Sequence, residues 1–119
     1  MPKTILICSD NEKFRDALKG LLANYFPLII VESLNSCLET IRKSTNIQLI
    51  YIELETIVDE AETALSQIKA AAPSMTIITV GRQHEDDAAA GTVRYGATGY
   101  ILEPLRAEEV LALARKNCS

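Results

Sequence analysis

Three things are scarce in this chain of 119 residues: positive charge, uninterrupted apolar sequence and cysteine. Twelve Lys and Arg stand against sixteen Asp and Glu, a formal net charge of -4. Charge of that sign steers a protein toward neither nucleic acid nor an anionic membrane surface. The densest apolar stretch, Leu21 to Val31, is interrupted by Asn24 and Pro27 and falls well short of a membrane span. The opening residues up to Cys8 are too few for a signal peptide. The cysteines are Cys8, Cys37 and Cys118, an odd number without metal-ligand spacing. They read as reduced thiols, two of them buried, in a cytoplasmic protein. No repeat, low-complexity tract or linker divides the chain, and its length fits one domain over 1–119. No nucleophile–base pair stands out, so an independent enzyme is not expected.

What is present is organised around the stretch Gln48-Leu49-Ile50-Tyr51-Ile52-Glu53-Leu54. Its apolar run is continuous rather than alternating, and it is rich in β-branched and aromatic residues. Such a run fits a strand covered on both faces, as in the middle of a parallel sheet. Glu53 then falls at the carboxyl end of that strand, where open α/β sheets place their chemistry. Taken alone, the stretch equally fits a strand that simply ends in solvent at Glu53.

Four further apolar runs read as strands: Thr4–Cys8, Leu28–Val31, Thr76–Val80 and Tyr100–Leu102. Helical spacing fills the gaps. Ser9 and Glu12 have capping-box spacing and predict a helix start there, with Ser9 as a cap rather than a nucleophile. Phe14, Ala17, Leu18, Leu21, Leu22 and Tyr25 make that helix's apolar face, and Pro27 stops it. Asn35 is placed as the cap of a second helix with Leu38 and Ile41 inward. Ala61, Leu65, Ile68 and Ala72 mark a third, ended by Pro73. The fourth, about 85–95, is the weakest. Its inward candidates are mostly alanines, with Val93 its one large aliphatic residue, and Gly91 costs about 1 kcal/mol relative to alanine. Gly96 suits its C-terminal cap. The acids around His84 read as helix-start chemistry rather than a metal site. Val110, Leu113 and Ala114 define the last helix. Five strands alternating with five helices give an α/β fold with a parallel sheet covered on both faces.

The stretch Tyr95-Gly96-Ala97-Thr98-Gly99-Tyr100-Ile101-Leu102-Glu103-Pro104 resembles the "G-A-x-G-Y-(I/L)-x-K-P" segment of response-regulator receiver domains. Ser9-Asp10 resembles that family's acidic pair after strand one, and Glu53-Leu54 its phosphoacceptor segment. The resemblance covers the whole chain nearly without gaps. It implies a flavodoxin-like doubly wound (βα)5 fold with strand order 2-1-3-4-5 and a cis bond before Pro104. In that order the ends carrying Ser9 and Asp10, Glu53, and Gly81 and Arg82 lie side by side.

The departures from the family carry the functional reading. Ser9 stands where the first magnesium-binding acid is expected, Glu53 where the phosphoacceptor aspartate is, Gly81 where a Thr or Ser is, and Glu103 where a Lys is. Asp10 alone keeps the family's residue. Phosphoryl transfer needs an aligned nucleophile and positive charge against the developing negative charge. The extra methylene of Glu53 moves its carboxylate by roughly 1.5 Å, and a misplacement of about 1 Å costs on the order of a hundredfold in rate. Magnesium, if held at all, rests weakly on Asp10 and Glu53. Asp10, Glu53 and Glu103 converge, and two carboxylates 4 Å apart repel by about 4 kcal/mol at an effective dielectric of 20. Arg82 either replaces the lost lysine by pairing with Glu53 or Glu103, or is a solvated surface arginine. Tyr100 matches the family's switch aromatic, pointing inward or outward.

The expectation is therefore an atypical receiver that signals through protein contacts, independently of aspartyl phosphorylation. Its partner, or a second copy, would meet the face of helix four, strand five and helix five, with a fused output domain outside these residues. Two alternatives stand beside it: phosphorylation at Glu53 or Asp10, and a small-ligand binder such as a flavin domain. The acidic Ser-Asp-Asn-Glu loop counts against a phosphate cradle.

Overall fold

The central strand explains the rest of the molecule. In the computed structural model, which describes residues 3–118, β3 (Ile47–Glu53) buries Leu49, Ile50, Tyr51 and Ile52 completely. Side chains alternate across a strand, so this one run feeds two cores. Ile50 and Ile52 face one cluster; Leu49 and Tyr51 face the other. Complete burial of both faces places the strand mid-sheet. It lies between β1 (Thr4–Cys8) and β4 (Thr76–Gly81), all parallel. β2 (Leu28–Val31) and β5 (Gly99–Leu102) form the edges, in the order β2-β1-β3-β4-β5.

The helices divide between the two faces. α1 (Glu12–Leu22) contributes Phe14, Leu18 and Leu22, and α5 (Ala107–Cys118) contributes Val110, Ala114 and Cys118, to the core around Leu49 and Tyr51. The Tyr51 hydroxyl donates to the Val110 carbonyl at 2.8 Å, which satisfies the polar tip of a buried ring. α2 (Leu34–Lys43), α3 (Ala61–Ala71) and α4 (Asp86–Gly91) cover the other face. Two 3-10 segments follow β3 and α4, at Leu54–Glu60 and Thr92–Tyr95. This is the flavodoxin-like doubly wound arrangement, and the reversal of strand order beside β1 and β3 opens the crevice where the site lies. Among the described residues no helix is long and apolar enough to cross a membrane.

Several local expectations are corrected. Asn11, not Ser9, caps α1; its Oδ1 accepts from the N–H groups of Lys13 and Phe14. Ser33, not Asn35, caps α2, accepting from the Ser36 N–H at 3.2 Å. α1 ends at Leu22, well before Pro27, and in the following turn the chain turns Phe26 inward and leaves Tyr25 exposed, along with Ala17. All three cysteines are buried.

The fourth helix is shorter than its sequence pattern. α4 buries only Ala89 before the chain tightens at Thr92. The Thr92 hydroxyl donates back to the Ala89 carbonyl and meets the Thr79 hydroxyl at 2.8 Å. That back-bond competes with the regular helical ladder. Thr92 therefore goes inside and Val93 is exposed, reversing the expected roles. Gly96, at φ 119°, caps the segment in the left-handed region, where a side chain is strained.

Candidate functional site

The site forms where β1, β3, β4 and β5 end. Ser9 follows β1 and is fully buried. Its hydroxyl donates to Glu53 Oε1 at 2.6 Å and accepts the Asn11 N–H at 2.9 Å. It is thus neither a helix cap nor a free nucleophile; it clasps the third strand to the first. Glu53 is only 3% exposed, so its carboxylate has left water. Thr56, in the 3-10 segment after β3, adds a longer contact to the same Oε1 at 3.4 Å. Its hydroxyl also lies 3.3 Å from Asp10 Oδ1 and accepts the Asp10 N–H at 3.2 Å. Thr56 therefore bridges the two acids, sharing one proton between them.

Burial pushes the Glu53 carboxyl above its ordinary value. The Ser9 and Thr56 hydroxyls work against that rise, while the charges of Glu103 and Asp10 add to it. Asp10 and Glu53 thus meet through Thr56, whereas Glu103 acts on Glu53 through its charge alone.

Of the two readings open for Arg82, the pairing with Glu53 or Glu103 does not form. The Arg82 guanidinium turns to Glu55, at 4.0 Å, and both side chains are about half exposed. Its backbone N–H is taken by Glu85 Oε1 at 2.6 Å. Among the described residues no ion pair reaches Glu53 or Glu103. A different arginine, Arg15 on α1, lies beside the site with its side chain 16% exposed. It donates to the Ser9 carbonyl at 3.0 Å and pairs with Glu32 at 3.4 Å. It fixes the backbone of the β1 loop rather than neutralising Glu53.

Gly81 ends β4 in close quarters. A Cβ there would meet Leu102 at 3.2 Å, Ala89 at 3.3 Å and Glu85 at 3.4 Å. A serine or threonine side chain thus fits only as far as these neighbours give by a few tenths of an ångström. Glu103 is half-buried after β5, its N–H bonded to the Gly81 carbonyl at 2.8 Å, and the bond to Pro104 is cis. Tyr100 points outward, 38% exposed, and its hydroxyl donates to Asp86 Oδ1 at 3.0 Å. That bond to a carboxylate raises the phenol above its ordinary value.

A magnesium ion fits this donor set poorly. Glu53 Oε1 is committed to two hydroxyls, Ser9 supplies a donor where an anionic ligand is needed, and Asp10 remains as one exposed carboxylate. Among the described residues no group of three or more His, Cys, Asp or Glu could hold a metal. The thiols offer no reactive substitute. Cys8 is raised far above its ordinary value by its hydrogen bond with Cys37 and by burial, and Cys118 is pushed up to about 11 by burial.

No protein-family model matches the chain. No curated protein matches it either. Solved structures do. A response regulator from Thermotoga maritima superposes with a TM-score of 0.85 at 20% identity, over 98% of this chain and 97% of its own. A response regulator receiver domain protein from Clostridium thermocellum gives 0.82 at 21% identity, over 96% and 91%. NtrX from Brucella abortus, in complex with ADP, gives 0.85 at 20% identity over 98% of this chain. This chain spans only 27% of the length of NtrX. At such identities the likeness is one of fold.

Proposed function

We propose that this chain is an atypical receiver domain of a cytoplasmic signalling protein, acting through protein contacts and not through aspartyl phosphorylation. One observation carries the reading: the carboxylate at the acceptor position is buried under a 2.6 Å hydrogen bond from Ser9. A phosphoryl donor needs an exposed oxygen in line with its leaving group. It also needs positive charge around the transferred group. Glu53 is closed off, Glu103 is negative where a cation is required, and Gly81 offers no hydroxyl to read a phosphoryl oxygen. The same bond supports a conformation that is set without a metal or a phosphoryl group. Output then rests on the face of α4, β5 and α5, where Tyr100 is exposed.

The test is NMR of the labelled protein during titration with magnesium and beryllofluoride. Amides around Glu53, Gly81 and Tyr100 are expected to stay in place. Large shifts there, or a stable phosphoryl adduct on Glu53 or Asp10 after incubation with acetyl phosphate, overturn the reading. Absorbance of the purified protein disposes of the flavin alternative.

A further inference from the structure

Two grooves run together on the α4–β5–α5 face, sharing Tyr100, Ile101 and Glu109. The first, between β5 and α5, is apolar: Ile78, Ala112 and Leu113 complete its floor, with Lys116 at its far end. The second climbs toward α4 and is acidic, with Asp86, Glu103 and Glu109 on its walls. From Arg82 to Glu109 the chain carries six acids and three arginines, so this side holds most of its negative excess. The cation inside the acidic groove is Arg106, which is 75% exposed and 3.8 Å from Glu109. Such an exposed pair is worth little and yields readily to a competitor.

We infer that this double groove receives an amphipathic basic segment of a different protein, its apolar side chains along β5 and α5 and its Arg or Lys between Asp86, Glu103 and Glu109. The inference rests on the proposed role of this face and adds the chemistry of the partner. The apolar groove supplies contact area, and the acidic groove supplies direction. With Lys116 at the opposite end, the segment enters with its basic end toward α4. A second copy of this chain suits the face less well. The negative excess that this side carries would stand on both copies, and the resulting repulsion counts against self-pairing.

The probe is a synthetic amphipathic peptide of leucine and arginine at helical spacing, titrated into the labelled protein and followed by NMR. A peptide with glutamate in place of arginine is the control. Shifts are expected along Gly99–Leu102, at Asp86 and on the β5-facing side of α5, with little response to the control. The double variant Asp86→Asn, Glu109→Gln is expected to weaken binding about fivefold. Asp16→Asn with Glu62→Gln removes the same charge from exposed positions on α1 and α3 and is expected to leave binding nearly unchanged. Equal weakening by both double variants, absence of binding, shifts scattered over the surface, or a dimer that occupies this face each overturn the inference. The peptide titration is read without magnesium or beryllofluoride, so a positive beryllofluoride result removes the phosphorylation-independent role and leaves the peptide result standing, and the two failures are distinguishable.

Discussion

Ser9 and Tyr100 each carry a hydroxyl that donates to a carboxylate, and the two bonds behave as opposites. Ser9 to Glu53, at 2.6 Å, is buried and ties together residues 44 apart in sequence. Tyr100 to Asp86, at 3.0 Å, lies in water and ties β5 to a short helix with one buried side chain. A buried hydrogen bond to a charged group is costly to break, because the remaining partner stays out of water. An exposed one is replaced by solvent. The molecule is therefore firmly tied where β3 ends and loosely tied where β5 meets α4.

The sharpest way to break that contrast is Ser9→Asp. It sets a second carboxylate against a buried one, and the loss in unfolding free energy is expected to reach about 4 kcal/mol. Val93→Asp, which adds the same charge on the open side, is expected to stay within about 0.5 kcal/mol. Urea denaturation of the two variants reads the difference directly. Ser9→Ala follows, at about 2 kcal/mol, since Glu53 then keeps only its longer contact to Thr56.

Titration sharpens the same point. The Glu53 carboxyl is raised in the folded protein, so the folded state holds its proton more firmly than the unfolded chain does. Stability from this group is complete below the unfolded value near 4.5 and falls as pH climbs through the raised folded value. Glu53→Gln keeps an acceptor for Ser9 without the charge. It is expected to flatten that slope and to be at least as stable as the parent at neutral pH, measured by denaturation across pH. The smallest effect is expected from Tyr100→Phe, whose urea midpoint should barely differ from the parent's. Its trace is faster amide exchange confined to α4; protection lost across the sheet would show that the open side is as tightly built as the closed one.

The parallel, doubly covered frame was legible because its strands are continuous apolar runs separated by helical spacing; their order across the sheet was not, and came from the resemblance of residues 95–104 to receiver domains. The nearness of Asp10 to Glu53 was legible because strand ends in a parallel sheet share a rim. The partners of those acids were not. Capping-box spacing is a local rule, and it assigned Ser9 to a helix start; the side chain obeys a carboxylate 44 residues away, while Asn11 does the capping. Thr56 sits three residues past Glu53, a spacing that reaches back only because the chain turns into a 3-10 segment there. Arg82 was placed by adjacency to Gly81, but adjacency does not fix direction, and the guanidinium follows Glu55. Val93 and Thr92 exchanged roles because a hydroxyl with a backbone partner can be buried without loss.

The packing at Gly81 joins two elements that the sheet alone would leave independent. A Cβ there would stand 3.2 Å from Leu102, 3.3 Å from Ala89 and 3.4 Å from Glu85, so a larger residue asks all three to give by a few tenths of an ångström. Ala89 belongs to α4 and Leu102 to β5. The spacing of that helix from that strand is therefore gauged by the smallest residue in the chain, and any side chain added at the tip of β4 is felt by both at once.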